Sequence, residues 1–172
     1  PHHENEIAQS EECNDKIFNK YWIHNGFLKI KKKKMSKSEG NFFTVREIKD
    51  KYDLQVLRFF MLSAHYRSPL NFSADLMEAA KNGLERILNA AENLRHLQEN
   101  AAKQSMTEAE RELWQGSDSF VEKFEKSMED DFNTADAVSA VFELVKYCNT
   151  NVGEASSGEL AGKLYQRMEA LC

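Results

Sequence analysis

A stretch rich in lysine and serine, in the first quarter of the chain, carries residue types suited to phosphate chemistry. It consists of Lys34, Met35, Ser36, Lys37 and Ser38, followed by a glutamate and a glycine, and is called the lysine loop below. No apolar periodicity crosses it, which predicts a loop. Lysine ammonium groups supply point charges for phosphate oxygens, hydroxyls add short donors, and glycine lets a loop move. The alternative is a solvated basic loop.

A second candidate pair lies at the start of the chain, where residues 2–19 are predicted to form a helix. His2 and Glu6 are four residues apart and share one helix face, where an imidazole nitrogen and a carboxylate oxygen can meet one metal ion. His3 and Glu4 are expected to point away from that face. Taken alone, such a pair is more often a surface contact than half of a metal site.

Composition limits the class of protein. The 172 residues are enough for one ordinary domain or two small ones, and 41% of them are hydrophobic. No apolar run has the length of a membrane span, and three scattered cysteines make no disulfide framework, so we expect a soluble cytoplasmic protein without a membrane partner. The net charge of −5 argues against a dedicated nucleic-acid-binding domain, although the segment 29–37 is strongly basic.

The part of the chain before residue 73 is predicted to position these candidates. Residues 21–32 are expected to form an extended or hairpin-like piece, in which Asn25-Gly26 marks a turn. The stretch 54–63 is apolar nearly all round, which predicts a buried helix. The segment 65–72 breaks the helical period and is expected to be a connector.

From residue 73 onward, the pattern predicts four amphipathic helices packed as an antiparallel bundle. Expected N-caps are Ser73, Thr107 and Asn133 or Thr134, and capping boxes pair Thr44 with Glu47 and Thr107 with Glu110. The first long helix carries one apolar stripe, made of Leu76, Ala80, Leu84, Ile87, Leu88, Ala91 and Leu94. The predicted fold class is mainly α, with a short extended or hairpin piece and the lysine loop preceding the bundle.

Several of these motifs resemble those of the cysteinyl-tRNA synthetases, a family of class I aminoacyl-tRNA synthetases. The lysine loop is similar to the KMSKS signature of that class. Residues 1–10, Pro-His-His-Glu-Asn-Glu-Ile-Ala-Gln-Ser, are similar to the second-half zinc segment of the family, and the segments 21–26 and 131–134 and the spacing between motifs also fit. The resemblance covers nearly the whole chain and weakens after Leu144.

The resemblance implies a two-step ligase reaction. Cysteine attacks the α-phosphate of ATP to give cysteinyl-adenylate and pyrophosphate, with Mg²⁺ expected beside ATP, and the adenylate then acylates the terminal adenosine of tRNA(Cys). The resemblance also implies that Lys37 contacts the polyphosphate of ATP as negative charge builds there. Lys34, Ser36 and Ser38 would shape the loop and add donors, and Met35 belongs to the same catalytic motif.

The resemblance also implies a zinc ion. His2 and Glu6 would be two of its ligands, with two cysteines from an earlier part of the chain, and zinc would bind the substrate thiol and reject serine. Cys13 does not take the place of either cysteine. Because the chain opens directly on this motif, we expect a piece of a longer enzyme. That piece lacks the N-terminal nucleotide-binding half, which would be its partner, and is expected to be inactive alone.

The family also suggests how the chain is divided. Residues 1–72 would be the C-terminal part of the catalytic domain, with the lysine loop and a connector that follows the inside of the tRNA. There His65 and Arg67 contact phosphate or serve only as connector residues, two alternatives of about equal weight. Residues 73–172 would be a helical tRNA- and anticodon-binding domain of the DALR type.

Two other functions remain open from the sequence. The cysteine ligase of mycothiol synthesis resembles the same family and has similar zinc and lysine-loop motifs, but it uses an amino-sugar acceptor. A non-catalytic tRNA-binding module is the second alternative. Residues 131–134 and the long bundle favour the synthetase over the mycothiol enzyme.

Overall fold

A computed structural model describes residues 1–30, 33–35 and 44–172, which form eight helices and three short strands. In chain order these are α1 (His2–Asn14), β1 (Leu28–Ile30), β2 (Lys33–Lys34), α2 (Val45–Lys49), α3 (Leu54–Leu62), β3 (Leu70–Phe72), α4 (Ala74–Asn100), α5 (Glu108–Gly116), α6 (Asp118–Glu129), α7 (Thr134–Asn151) and α8 (Gly158–Leu171). The predicted fold class, a mainly α chain with a short extended piece before a helical bundle, is confirmed. Within the described ranges, no helix is long and apolar enough to cross a membrane.

The three strands form one small sheet in the order β2-β1-β3. Strand β1 pairs with β2 in antiparallel register, so that Lys29 lies opposite Lys34, and with β3 in parallel register. A short extended piece before the lysine loop was therefore predicted correctly, but the turn assigned to Asn25-Gly26 is wrong, because both antiparallel strands follow Gly26. Gly26 instead allows a close approach, since a Cβ there would lie 2.4 Å from the carbonyl oxygen of Ser68.

Two further boundaries differ from the prediction. Helix α1 ends at Asn14, before the predicted end at residue 19, because Asp15 adopts a left-handed conformation with φ of 49° and closes the helix. Strand β3 lies inside the predicted connector. Its hydrogen-bonding partner is about forty residues away in sequence, so no local pattern announces it.

Helix α3 is less buried than its composition predicts. Only Val56 and Phe60 are buried, whereas Leu54, Met61 and Leu62 are exposed. The buried pair packs with Met77 and Ala80 of α4 in a small core cluster. The prediction of a fully buried helix is wrong for the described residues, because α3 has packing partners on one side only.

The bundle contains the main core. Helix α4 packs chiefly against α8 and α3, and α6 packs against α7. The buried face of α4 consists of Met77, Ala80, Ile87, Ala90 and Leu94. Leu76 and Leu88, which were predicted to face the core, are exposed. The buried face is set by α3, which packs against Met77 and Ala80, and by α8, which packs in the cluster that contains Ile87, Ala90 and Leu94. The sequence of α4 alone does not reveal these neighbours.

Local capping signals give the helix starts accurately. Both predicted capping boxes are present, and Ser73 and Asn133 accept hydrogen bonds from the backbone of their first helical turns. Gly116 marks a helix boundary, because α5 ends there and α6 begins two residues later. The division of the chain into residues 1–72 and 73–172 stays a prediction.

Candidate functional site

The lysine loop starts at the edge of the small sheet. The backbone N–H of Met35 donates to the carbonyl of Leu28 over 2.9 Å, which fixes where the chain leaves β2. Ser36, Lys37 and Ser38 lie outside the described residues. The catalytic role of the five loop residues therefore stays a prediction, and the structure describes only how the chain leads into it.

Positive charge is concentrated on the two strands that precede the loop. Lys29 and Lys34 are direct neighbours in the register of β1 and β2, and Lys33 lies beside them opposite Ile30. Like charges on directly opposite residues destabilise a sheet. The backbone register therefore brings three lysine positions together on the two strands that lead into the lysine loop.

The two residues of the predicted metal pair lie close together on α1, and His3 contacts the same carboxylate. The Nε2 atom of His2 lies 3.6 Å from Oε1 of Glu6, and Nδ1 of His3 lies 3.1 Å from Oε2 of the same carboxylate. The expectation that His3 points away from this face is wrong, because residues three apart are also neighbours on a helix. One oxygen of Glu6 thus faces each histidine.

The described ranges contain no group of three or more His, Cys, Asp or Glu side chains that could hold a metal ion. Cys148 is buried in the bundle core, and burial raises the pKa of its thiol to about 12. The buried residues that pack with Cys148 belong to the bundle, and none of those in the described cluster comes from α1. His2 and Glu6 fit zinc in donor type, but they supply only two donors, and a tetrahedral site needs more.

Aromatic side chains lie beside His3. The ring of His3 lies 4.9 Å from that of His24 and 5.8 Å from that of Trp22, and Phe18 lies 5.9 Å from Trp22. These contacts give Trp22 and His24 a packing role at the start of the chain. Trp22 nevertheless remains partly exposed in the described structure.

The connector makes a polar cluster with the bundle that sequence reasoning did not find. The hydroxyl of Tyr66 donates to Oδ1 of Asp131 over 2.7 Å, and Nε of Arg67 lies 2.7 Å from Oδ2. The Nε2 atom of His65 lies 3.8 Å from Oδ2. The hydrogen bond from Tyr66, with further help from Arg67, holds the pKa of the Asp131 carboxyl below its ordinary value. These residues are more than sixty positions apart in sequence, so no local pattern links them.

Family models match two parts of the chain. Residues 1–82 match the model described as tRNA synthetases class I (C) catalytic domain. Residues 123–172 match the model described as DALR domain. The predicted metal pair and lysine loop lie in the first range, and Asp131 lies in the second.

Curated relatives match along nearly the whole chain. The chain is 62% identical over 171 residues to the cysteine–tRNA ligase of Lachnospira eligens, which covers 99% of the chain and 36% of that protein. It is 54% identical to the cysteine–tRNA ligase of Lachnoclostridium phytofermentans, which covers 100% of the chain and 38% of that protein. It is also 54% identical to the cysteine–tRNA ligase of Clostridioides difficile, which covers 99% of the chain and 37% of that protein. The chain thus spans somewhat more than a third of the length of these relatives.

A solved structure shares the fold. It is the crystal structure of a ternary complex of an Agrobacterium radiobacter LeuRS with tRNA and LeuAMS, and it matches with a TM-score of 0.69 over 86% of this chain and 20% of that chain. At 21% sequence identity this likeness concerns the fold alone.

Proposed function

Because the chain belongs to the cysteinyl-tRNA synthetase family, we propose that it forms the C-terminal part of a cysteine–tRNA ligase. The enzyme would join cysteine to ATP, release pyrophosphate and transfer the cysteinyl group from the adenylate to tRNA(Cys). The observation that carries the proposal is the 62% identity to such a ligase across 99% of the chain. The basic strands that lead into the lysine loop support it chemically.

The role of the lysine loop follows from the charge that develops during adenylate formation. As cysteine attacks the α-phosphate, negative charge builds on the leaving pyrophosphate. Lys37 would contact that polyphosphate, while Lys34, Ser36 and Ser38 add donors and Met35 anchors the loop to β1 through its backbone. Neither step needs a covalent bond to the enzyme, so catalysis consists of placement and charge stabilisation.

The test of this role is cysteine-dependent pyrophosphate exchange in an enzyme of the relatives' length that carries this chain. Replacement Lys37→Ala should lower the exchange rate by about a hundredfold, because one charge contact made in the transition state is lost. The control is Lys33→Ala, which removes a neighbouring lysine outside the motif and should cost much less. A near-normal rate for Lys37→Ala would exclude the role of Lys37, and absence of exchange in the unmodified enzyme would exclude the function itself.

Zinc is the second part of the proposal. His2 and Glu6 would hold the ion together with two ligands from the remainder of the longer enzyme. When bound, zinc supplies a preference for thiolate over hydroxyl, and hence for cysteine over serine. The hydrogen bond of His3 occupies one oxygen of Glu6 and leaves the other turned towards His2, which is the orientation that a shared ion requires.

Metal titration separates half of a site from a complete one. The chain by itself should bind zinc weakly, because sites with an open position normally keep three protein ligands. In the enzyme of full family length, one equivalent should bind tightly, and His2→Ala should weaken that binding. His96→Ala removes an exposed histidine on α4 and should have no effect. Nanomolar binding by the monomeric chain alone, abolished by His2→Ala, would contradict the account of the missing ligands.

The bundle would bind tRNA(Cys), which the match of residues 123–172 to the DALR domain supports. The relatives that match at 54–62% identity are cysteine–tRNA ligases, so the mycothiol enzyme is not favoured. An electrophoretic mobility shift of purified tRNA(Cys) distinguishes the two, since only the tRNA ligase should retard it. A chain that binds tRNA but gives no exchange when joined to the remainder of the enzyme would be a binding module.

A further inference from the structure

The turn between α6 and α7 directs one carboxylate towards the connector. Asp131 accepts a hydrogen bond from the hydroxyl of Tyr66 and forms an ion pair with Arg67. The ring of Tyr66 stacks on that of His65, with 4.9 Å between centroids, and the Arg67 guanidinium lies 5.5 Å from the Tyr66 centroid. The three connector side chains therefore pack as one unit around Asp131.

The backbone of this turn is unusual in a way that favours the contact. Asp131 and Phe132 both have positive φ, 53° and 55°, a conformation that bulky residues rarely adopt. Phe132 gains little burial from it, since 54% of its surface stays exposed. Asp131, by contrast, gains the donors of the connector. Strained backbone of this kind persists where the surrounding contacts enforce it, and it is concentrated at functional positions.

A short series of backbone contacts continues from the connector to the lysine loop. The carbonyl of Tyr66 accepts from the N–H of Gly26 over 2.7 Å, and the N–H of Leu70 donates to the carbonyl of Phe27 over 2.9 Å. These bonds lead directly into β1, whose register with β2 places the start of the lysine loop. The approach at Gly26 is too tight for any side chain, so the connector has no freedom to slide there.

We propose that Asp131 is a positioning residue that holds the helical bundle in register with the strand leading into the lysine loop. Through Tyr66 and Arg67, it would fix the orientation of a tRNA held by the bundle, so that the 3′ end of the tRNA meets the adenylate. This inference rests on the proposed function. Asp131 itself contacts neither the substrates nor the reacting atoms, and its effect is confined to the step that uses tRNA.

Separate assays of adenylate formation and of transfer to tRNA distinguish this positioning role from a general loss of folding or activity. In an enzyme of the relatives' length that carries this chain, Asp131→Asn should lower kcat/KM for tRNA aminoacylation at least about tenfold, because misplacement by about 1 Å is costly to an oriented reaction. Cysteine-dependent pyrophosphate exchange needs no tRNA, so its rate in the variant should stay within about twofold of the rate of the unmodified enzyme. The matched control is Asp130→Asn, which removes the same charge one residue earlier, from a side chain without a hydrogen bond or ion pair to the described part of the chain.

A second variant covers the case in which Asp131→Asn impairs folding. Tyr66→Phe deletes one hydroxyl and should give the same split between the two reactions, with a smaller loss. The double variant should be about as impaired as Asp131→Asn alone, since both changes act through one contact. Equal losses in both reactions, or unchanged aminoacylation, in the folded variants would overturn the inference. An unmodified enzyme without either activity would instead overturn the proposed function.

Discussion

The bundle and the first thirty residues differ sharply in how they use apolar side chains. Helices α4 to α8 enclose one cluster of thirteen buried residues. Residues 1–30 contain none that is buried, although they include a set of large exposed hydrophobic residues, namely Ile17, Phe18, Tyr21, Trp22, Ile23 and Phe27. The helices of the bundle bury one another, whereas the N-terminal region has apolar surface that the described residues do not cover.

This difference indicates that the folding stability comes mainly from the bundle and that the N-terminal apolar surface is an interaction surface. An exposed apolar patch of this kind commonly marks an interaction surface. One member of the set, Trp22, lies 5.8 Å from the ring of His3, and the whole set falls in the range that matches the catalytic-domain model. The bundle should therefore fold by itself, and the N-terminal region should gain its full stability only against further protein.

The largest expected effect compares one apolar residue from each region. Leu144 is completely buried in the bundle, and Leu144→Ala should lower the free energy of unfolding by about 2–5 kcal/mol, through lost burial and a residual cavity. Ile17 is 80% exposed, and Ile17→Ala should change the free energy of unfolding by no more than about 0.5 kcal/mol. Urea unfolding followed by circular dichroism measures both. Similar losses for the two variants would show that the regions share one core.

A smaller effect concerns the polar network that joins α5 to α8. Glu110 is only 8% exposed, and its carboxylate accepts from the backbone N–H of Thr107 and of Ser157, with Lys103 3.1 Å away. Replacement Glu110→Gln keeps the shape but loses the charge, and should cost about 1–3 kcal/mol. Glu108→Gln, two residues earlier on the exposed face, should cost little. The network contributes to the bundle alone, so the exchange rates of amides in α1 should not change.

The same carboxylate gives a dependence on pH. The backbone hydrogen bond from Thr107 is the largest cause that lowers the pKa of Glu110, from an ordinary 4.5 to about 2. Because the pKa is lower in the folded state, the charged form stabilises the fold fully above pH 4.5. This contribution is lost as the pH falls towards 2. The stability difference between the unmodified chain and Glu110→Gln should shrink over that interval, and a constant difference would contradict the network.

Local signals predicted the bundle well and the sheet poorly, for a physical reason. The capping boxes at Thr44 and Thr107 depend on residues three apart, so the sequence displays them directly. The pairing of β1 with β3 and the contact between Tyr66 and Asp131 join distant segments, which no short window contains. The exposed face of α4 was misjudged for the same reason, since its neighbours decide which side is buried.

The candidate site divides in the same way. The meeting of His2 and Glu6 follows from their spacing on a helix and was predicted. The contact of His3 with Glu6 was missed, because the i,i+3 neighbour was assigned to the opposite face. Asp131 carried no signal of its own role, since its partners are residues of the connector.

Native-state hydrogen exchange of the chain tests most directly whether the bundle is the self-sufficient region. Amides of α4, α7 and α8 should exchange only through global unfolding, and so show the highest protection. Amides of α1 and β1 should exchange through local opening, at much lower free energy. Protection in residues 2–30 that equals or exceeds that in residues 76–145 would contradict the account.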